Sequence, residues 1–543
     1  MGGRRKLALA SGALALALVA AACGGSSSDS GDTATEATVD AGIQAGVKEQ
    51  LPGTEDTGDD TDTTEADKAP AAQPTSIEGW EDLWADERAA MVERIKSEGW
   101  GKSADGTKLT GPEGFEIDLS ACPADWSDTE GLTDTSIKIG GTSPLSGTAA
   151  DFGNVARSSE VLFKYYGEQG LFKDSEGKTR TVNFTYKDDA YDPTRTIPLV
   201  DELLDSEKAF AIWIVGTPNG LKVYDKINER CVPMPLTIGG SPAWGDPENH
   251  PWTTGSLLSY GTEAVLWGAF IDQHIDELTA DDGKATVAGF VANSEFGATY
   301  RSAFEAVLEQ SPNKDKIDFV TEVVEITAPT VNDPMTTIAS KKPDVFITMT
   351  GGAQCPQIIN EATNNGLKNE AKYLFMSSVC KGASFVGKDK VGGDGTQSDG
   401  WYIVGGGLKD FNSEALAEEP FVKWARTFLA DNGIDFKLSG NFGAGIYYGF
   451  GIGQALAVAG QLDGGLTRSN FILAQRSMDM TNPLLLEGIG FNQNGNADSY
   501  FVEGSDISVW NAAKQGWDQQ GSIVELSGQT ANCAWDLDAQ ACK

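Results

Sequence analysis

Histidine is nearly absent from this chain. Its 543 residues hold only His250 and His274, which leaves little scope for imidazole base catalysis. No C-x-x-C pair occurs, so the usual zinc ligand sets are missing, and neither a metal nor a cofactor is expected. G-x-S-x-G, H-E-x-x-H and a phosphate loop ending in G-K-[ST] are also missing, so the chain does not read as an enzyme. Basic residues are few: Lys and Arg number 41 against 79 Asp and Glu, a formal net charge of −38. A nucleic-acid partner would need a basic footprint that this composition lacks.

Long apolar runs are scarce too. The N-terminal one, residues 7–22, follows Arg4, Arg5 and Lys6 and precedes Cys23. That layout reads as a signal peptide, and no later stretch is expected to span a bilayer. Ala20, Ala21 and Ala22 before Cys23 resemble the bacterial lipobox. Cys23 is therefore expected to carry lipid and hold the protein on the extracytoplasmic face of the cell membrane. Six cysteines remain, an even set that in an exported chain points to disulfides. Six cysteines allow 15 pairings, and parity alone does not choose among them.

What is abundant is glycine, 64 residues, as a fold with many strand-to-helix turns requires. Residues 24–75 hold twelve acids against two lysines and too little apolar surface to fold, so they read as a disordered linker. In 76–130, Trp80, Leu83, Trp84, Met91 and Ile95 recur at helical spacing with Gly99 as an end signal, and 107–119 reads as a hairpin. From Ser136 onward, apolar strands alternate with amphipathic helices. Strands are expected at 137–142, 181–188, 210–216 and 232–239, with helices near 153–169, 193–204 and 219–229. A second run of strands follows at 285–292, 319–326, 345–350 and 372–376. Two such β-α runs predict an α/β chain with two parallel-sheet lobes.

The residues of these runs carry a resemblance. IKIGGTSPLSGTAADFGNVARSSEVLFKYYGEQG, starting at Ile137, resembles the opening of type I periplasmic-binding proteins of the leucine/isoleucine/valine-binding family. YKDDAYDPTRT, AFAIWIVGTPNG, VPMPLTIGGSPAWGD and GFVANSEFGATY look like its later segments. The resemblance spans about 134–510. It implies two lobes, each a mostly parallel sheet flanked by helices, joined by three hinge crossings. The first lobe is expected at 131–258 plus about 405–480, the second at 259–404 plus about 481–515, with a Cys-bearing tail at 516–543. It further implies a solute-binding lipoprotein serving an ABC importer through membrane permease subunits. The alternative is a sensing receptor subunit of the same fold that signals through a membrane partner.

Ligands of open α/β sheets sit beyond the carboxyl ends of the strands. The strand-end loops put Ser146, Thr217, Asn219, Gly240, Ser241, Phe296, Gln354 and Ser378 among the expected ligand contacts. The resemblance adds Phe152 and implies contact roles for Gly240, Ser241 and Phe296. In amino-acid binders of this family an acid in the second lobe pairs with the ligand ammonium. The matching loop here, Ser377-Ser378-Val379, has no carboxylate. The expected ligand is therefore an amino acid, amide or small carboxylate held through an oxygen-bearing end. Cys355 and Cys380 follow successive strand ends and are expected to pair, Cys533–Cys542 to close a tail loop, and Cys122–Cys231 to form the third bond.

Overall fold

The computed structural model describes residues 73–537 and 541–542. The expected signal peptide, Cys23 and nearly all of the expected acidic linker lie outside them. Helix α1 (Ile77–Ser97) begins at Ser76, whose hydroxyl accepts from Gly79 N at 3.2 Å. It buries Trp80, Trp84, Met91 and Ile95, one stripe of a 3.6-residue period. The two tryptophans pack on Phe421, and Trp84 also meets Phe450 at 4.9 Å. The expected hairpin gains a strand: β1 (Gly101–Lys102), β2 (Lys108–Thr110) and β3 (Glu116–Asp118) form one antiparallel sheet.

The first lobe holds β4 (Ser136–Ser143), β5 (Thr181–Asp188), β6 (Ala211–Ile214), β7 (Met234–Thr237) and β8 (Thr253–Gly255). β5-β4-β6 and β7-β8 are parallel sets, bridged by Val215–Ile238 into one sheet. Helix α2 (Asn154–Glu168) covers one face, and α3 (Pro193–Asp201) starts at Asp192, which accepts from Thr194 N at 2.8 Å. The single helix expected at 219–229 is two, α4 (Thr217–Leu221) and α5 (Tyr224–Glu229). Val223 breaks it by leaving helical geometry at φ −127°, ψ −9°.

Helix α6 (Tyr260–Gln273) opens the second lobe, followed by β9 (Ala285–Ala292), α7 (Glu295–Gln310), β10 (Ile317–Val324), β11 (Val345–Met349), β12 (Tyr373–Met376) and β13 (Tyr402–Val404). The chain returns to the first lobe through α8 (Pro420–Asp431), α9 (Asn441–Gln461) and α10 (Arg468–Arg476). It then completes the second sheet with β14 (Ser505–Asn511) and β15 (Gly516–Val524). The strand order is β10-β9-β11-β12-β13-β14-β15, parallel except for the last two pairings. The central strands of each sheet, such as β6, β7 and β11, are buried on both faces, which is why they read as continuous apolar runs. The edge strands β5, β10 and β15 keep one side partly exposed.

Two expectations are corrected. The last crossing lies near 503–504, not 481, because Leu484, Leu485, Phe491, Phe501 and Val502 pack in the first-lobe core. The second lobe then runs on through Val524. Helix α9 is also long and apolar enough to cross a membrane by length and composition. Its side chains are instead buried around almost the whole circumference, as the central helix of the first lobe. Disulfides join Cys122–Cys231, Cys355–Cys380 and Cys533–Cys542.

Candidate ligand-binding cleft

Loops that follow the strands of the two sheets meet at a closed seam. Phe152, at the entry to α2, lies against Gly351 and Gly352 of the second lobe. A β-carbon at either glycine would stand 3.5 Å from the ring. Thr217 Oγ1 of α4 reaches Tyr260 Oη of α6 at 3.4 Å. Asp410, just past the glycine crossing 405–407, accepts from Ala383 N of the second lobe at 3.0 Å.

Against the hinge, the seam holds a partly open cavity of about 140 Å³. Phe152, Ile238 and Leu257 line it from the first lobe, with Tyr447 and Tyr448 of α9. Leu258, Ser378, Val379, Lys381 and Phe385 line it from the second, and Gly405, Gly406 and Asp410 from the crossing. Apolar and aromatic walls with a few polar groups are the usual make-up of a small-molecule site. Tyr447 Oη donates to Ser256 O at 2.6 Å. Tyr448 Oη, beside Ser256, makes no bond of hydrogen-bonding geometry.

The charges at the cavity are few and mostly matched. Lys381 Nζ donates to both oxygens of Asp506, at 2.8 and 2.9 Å, and to Gly405 O at 3.3 Å. Asp410 is pushed up to about 6 by burial, against main-chain N–H bonds from Ala383 and Asn412 and the nearby Lys381 and Arg426. Behind the wall stands Glu263 of α6, fully buried. Its Oε1 accepts from Ser378 N at 2.8 Å. Its Oε2 accepts from Ser378 Oγ at 2.8 Å and Tyr300 Oη at 2.6 Å. Burial raises this carboxyl to about 7, although all three bonds favour the anion.

Residues 136–494, well over half the chain, match the family model described as periplasmic binding protein. The chain belongs to the periplasmic binding protein family. The family assigns it a solute-binding role outside the cytoplasm. No curated protein sequence matches this binding protein. Solved structures agree on the fold. A possible leucine/isoleucine/valine-binding protein from Rhodopirellula baltica SH 1 is 18% identical, with a TM-score of 0.55 over 75% of this chain and 99% of its own. A branched chain amino acid ABC transporter protein from Thermus thermophilus with bound valine is 16% identical, with a TM-score of 0.59 over 73% and 98%. A solute binding protein from Rhodopseudomonas palustris BisB5, in complex with 3,4-dihydroxy benzoic acid, is 18% identical, with a TM-score of 0.55 over 73% and 98%.

Of the contacts expected for this binding protein, the structure brings Phe152 and Ser378 to the cavity. The others stand elsewhere. Ser146 is exposed and spends its hydroxyl on Asp188 at 2.6 Å. Asn219 Nδ2 binds Asp189 and Thr196 inside the first lobe. Ser241 caps a short turn at Pro242–Trp244. Gln354 bridges Thr350 Oγ1 and Glu325 O. Thr217, Gly240 and Phe296 do face the seam, but the Tyr260 ring fills the space between them. It packs 5.3 Å from Phe296, and a β-carbon on Gly240 would come within 2.5 Å of it. The aromatic volume at Tyr260 moves the cavity toward the hinge.

Glu263, Lys381, Asp410, Tyr447 and Tyr448 were absent from the expected set. The glycine run before Asp410 marks a crossing. Glu263 is a lone acid inside the apolar helix segment YGTEAVLWGAF; such isolation is a signal in itself, because an unpaired buried carboxylate is costly.

Proposed function

We propose that this protein is the solute-binding component of an ABC importer, tethered to the outer face of the cell membrane through lipid on Cys23. Its ligand is a small molecule of the amino-acid, amide or small-carboxylate class, held in the hinge-side cavity and not chemically altered. The observation that carries this reading is the cavity itself: both lobes and the glycine crossing contribute its walls, so opening the hinge exposes it and closing the hinge buries a ligand. Phe152 and Ser378 touch the ligand. Ser146, Asn219, Ser241 and Gln354 shape the surrounding loops. Structural neighbours carry valine, 4-hydroxybenzoate or 3,4-dihydroxy benzoic acid, and each joins a carboxylate to a compact apolar body.

A thermal-shift screen of amino acids, amides, short carboxylates and aromatic acids tests the reading. A true ligand at 100 times its Kd adds roughly 2.7 kcal/mol to stability. The same ligand should shrink the radius of gyration in X-ray scattering as the lobes close. A panel that neither stabilises nor compacts the protein counts against the proposal.

A further inference from the structure

Glu263 is a buried acid whose charge no cation among the described residues balances. Its three partners are neutral donors: Ser378 N, Ser378 Oγ and Tyr300 Oη. Among the described residues no lysine, arginine or histidine contributes to its electrostatic environment. Asp506 is matched by Lys381 and Asp174 by Arg180. Asp189, Asp498 and Glu503 share the lack of a cation with Glu263, but none of them contacts a residue that lines the cavity through a hydroxyl as Glu263 does through Ser378. Neutral hydrogen bonds compensate a desolvated carboxylate only in part.

Ser378 stands between this carboxylate and the cavity it lines. When Glu263 is ionised, the single Ser378 hydroxyl proton is committed to Oε2. A serine has one proton and two lone pairs, so the oxygen then offers the cavity only lone pairs, polarised by the anion behind it. We propose that Glu263 and Ser378 act as one relayed acceptor that selects solutes bearing a protonated amine. The inference rests on the solute-binding reading and narrows its ligand class. It assigns Glu263 as a positioning residue that never touches the ligand. It also replaces the expectation of a cleft with no acid to serve an ammonium: the carboxylate comes from α6 instead of from the loop. The aromatic rings of Phe152, Tyr447 and Tyr448 line the same cavity and are compatible with a cation.

Proton linkage follows. The titratable groups that face Glu263 are the phenols of Tyr300 on α7 and Tyr260 on α6, both held well above the usual phenol range. The loop contributes only Ser378. Below neutral pH the free protein therefore carries the proton on Glu263. An amine seated on Ser378 favours the anion, so binding drives that proton from the carboxyl to solvent. Amine affinity should rise with pH through about 7.

The test is isothermal titration at pH 6 and pH 8, each in two buffers of different ionisation heat. The probes are valine, leucine and phenylalanine, their deaminated acids, and 4-hydroxybenzoate. The expected result is binding of an amine probe at least tenfold tighter than its deaminated acid, with up to one proton released at pH 6 and little at pH 8. Glu263→Gln should lose the proton release and at least tenfold in affinity. Ser378→Ala, which keeps the main-chain N–H and the carboxylate, should lose the preference for the amine. Tyr300→Phe, a donor remote from the ligand, should keep it. Equal or tighter binding of the deaminated acids or 4-hydroxybenzoate overturns the relay while leaving solute binding intact. Unchanged proton release in Glu263→Gln also overturns it. No binding of any probe overturns the solute class on which it rests.

Discussion

Burial sets the behaviour of Glu263 in the empty protein as well as with ligand. Its carboxyl is raised to about 7 in the fold, above the roughly 4.3 of an unfolded chain. Below pH 4 both states hold the proton and the site adds nothing. Between about pH 5 and 7 the folded state keeps a proton that the unfolded chain releases, so stability falls as pH rises, by on the order of 3 kcal/mol in total. Urea midpoints at pH 5 and pH 7.5 should differ less in Glu263→Gln than in the parent, because the amide does not titrate. Asp410, raised in the same sense to about 6, leaves a residual slope of the same sign in that variant.

At the scale of elements, α1 and the small sheet β1–β3 are built into the first lobe. Trp80 and Trp84 of α1 share one core with Phe421, Phe450 and the rest of α9. Trp84 also donates Nε1 to Thr481 O at 2.9 Å. Trp84→Ala should cost roughly 3–5 kcal/mol, as large-to-small changes at buried aromatics do, read as a lower denaturant midpoint. The Cys122–Cys231 bond ties the end of this extension to the loop before β7, at a sequence separation of 109. Breaking it with Cys122→Ser should lose on the order of 4–5 kcal/mol in the chain-entropy model. Reducing agent should reproduce the loss in the parent and add little from this bond in the variant. Trp126 Nε1, which donates to Cys231 O at 2.8 Å, should become more accessible, and its fluorescence should shift to the red.

At the scale of the molecule, the proposed closure requires chain crossings that bend without breaking a core. The first-lobe core ends with Leu257 and Val502, while Leu258 and Ile507 belong to the second. Between the lobes, Gly406 and Gly407 take φ of +64° and +69°, a backbone region costly for residues with a β-carbon. At Gly407 that carbon would also stand 2.9 Å from Gly504 O on the neighbouring crossing. Gly407→Val should strain the closed form, weaken ligand binding by at least tenfold and enlarge the radius of gyration of the liganded protein. The proposed tether belongs to the same scale. Cys23→Ala should release the protein from the membrane fraction, and mass spectrometry of the mature parent should find lipid on that cysteine.

The sequence alone determined the class of molecule. The alternation of β and α runs, doubled along the chain, dictates two parallel-sheet lobes, because each apolar strand must be covered on both faces and only helical crossovers achieve that. The helix at 77–97, most strand positions and the presence of disulfides were legible for the same reason: they rest on local periodicity, capping and cysteine parity. The places of Ser378, after a strand end, and Phe152, in the aromatic-Gly pair at a helix entry, were legible, and both line the cavity. The tertiary structure decided the rest. Whether Tyr260 fills the space at Gly240, whether residues 484–502 join the first lobe, and which acid stands behind Ser378 are matters of side-chain volume and long-range packing. Glu263 precedes Ser378 by 115 residues. No spacing rule links the two, and only the docking of α6 against the loop after β12 brings the carboxylate to the cleft.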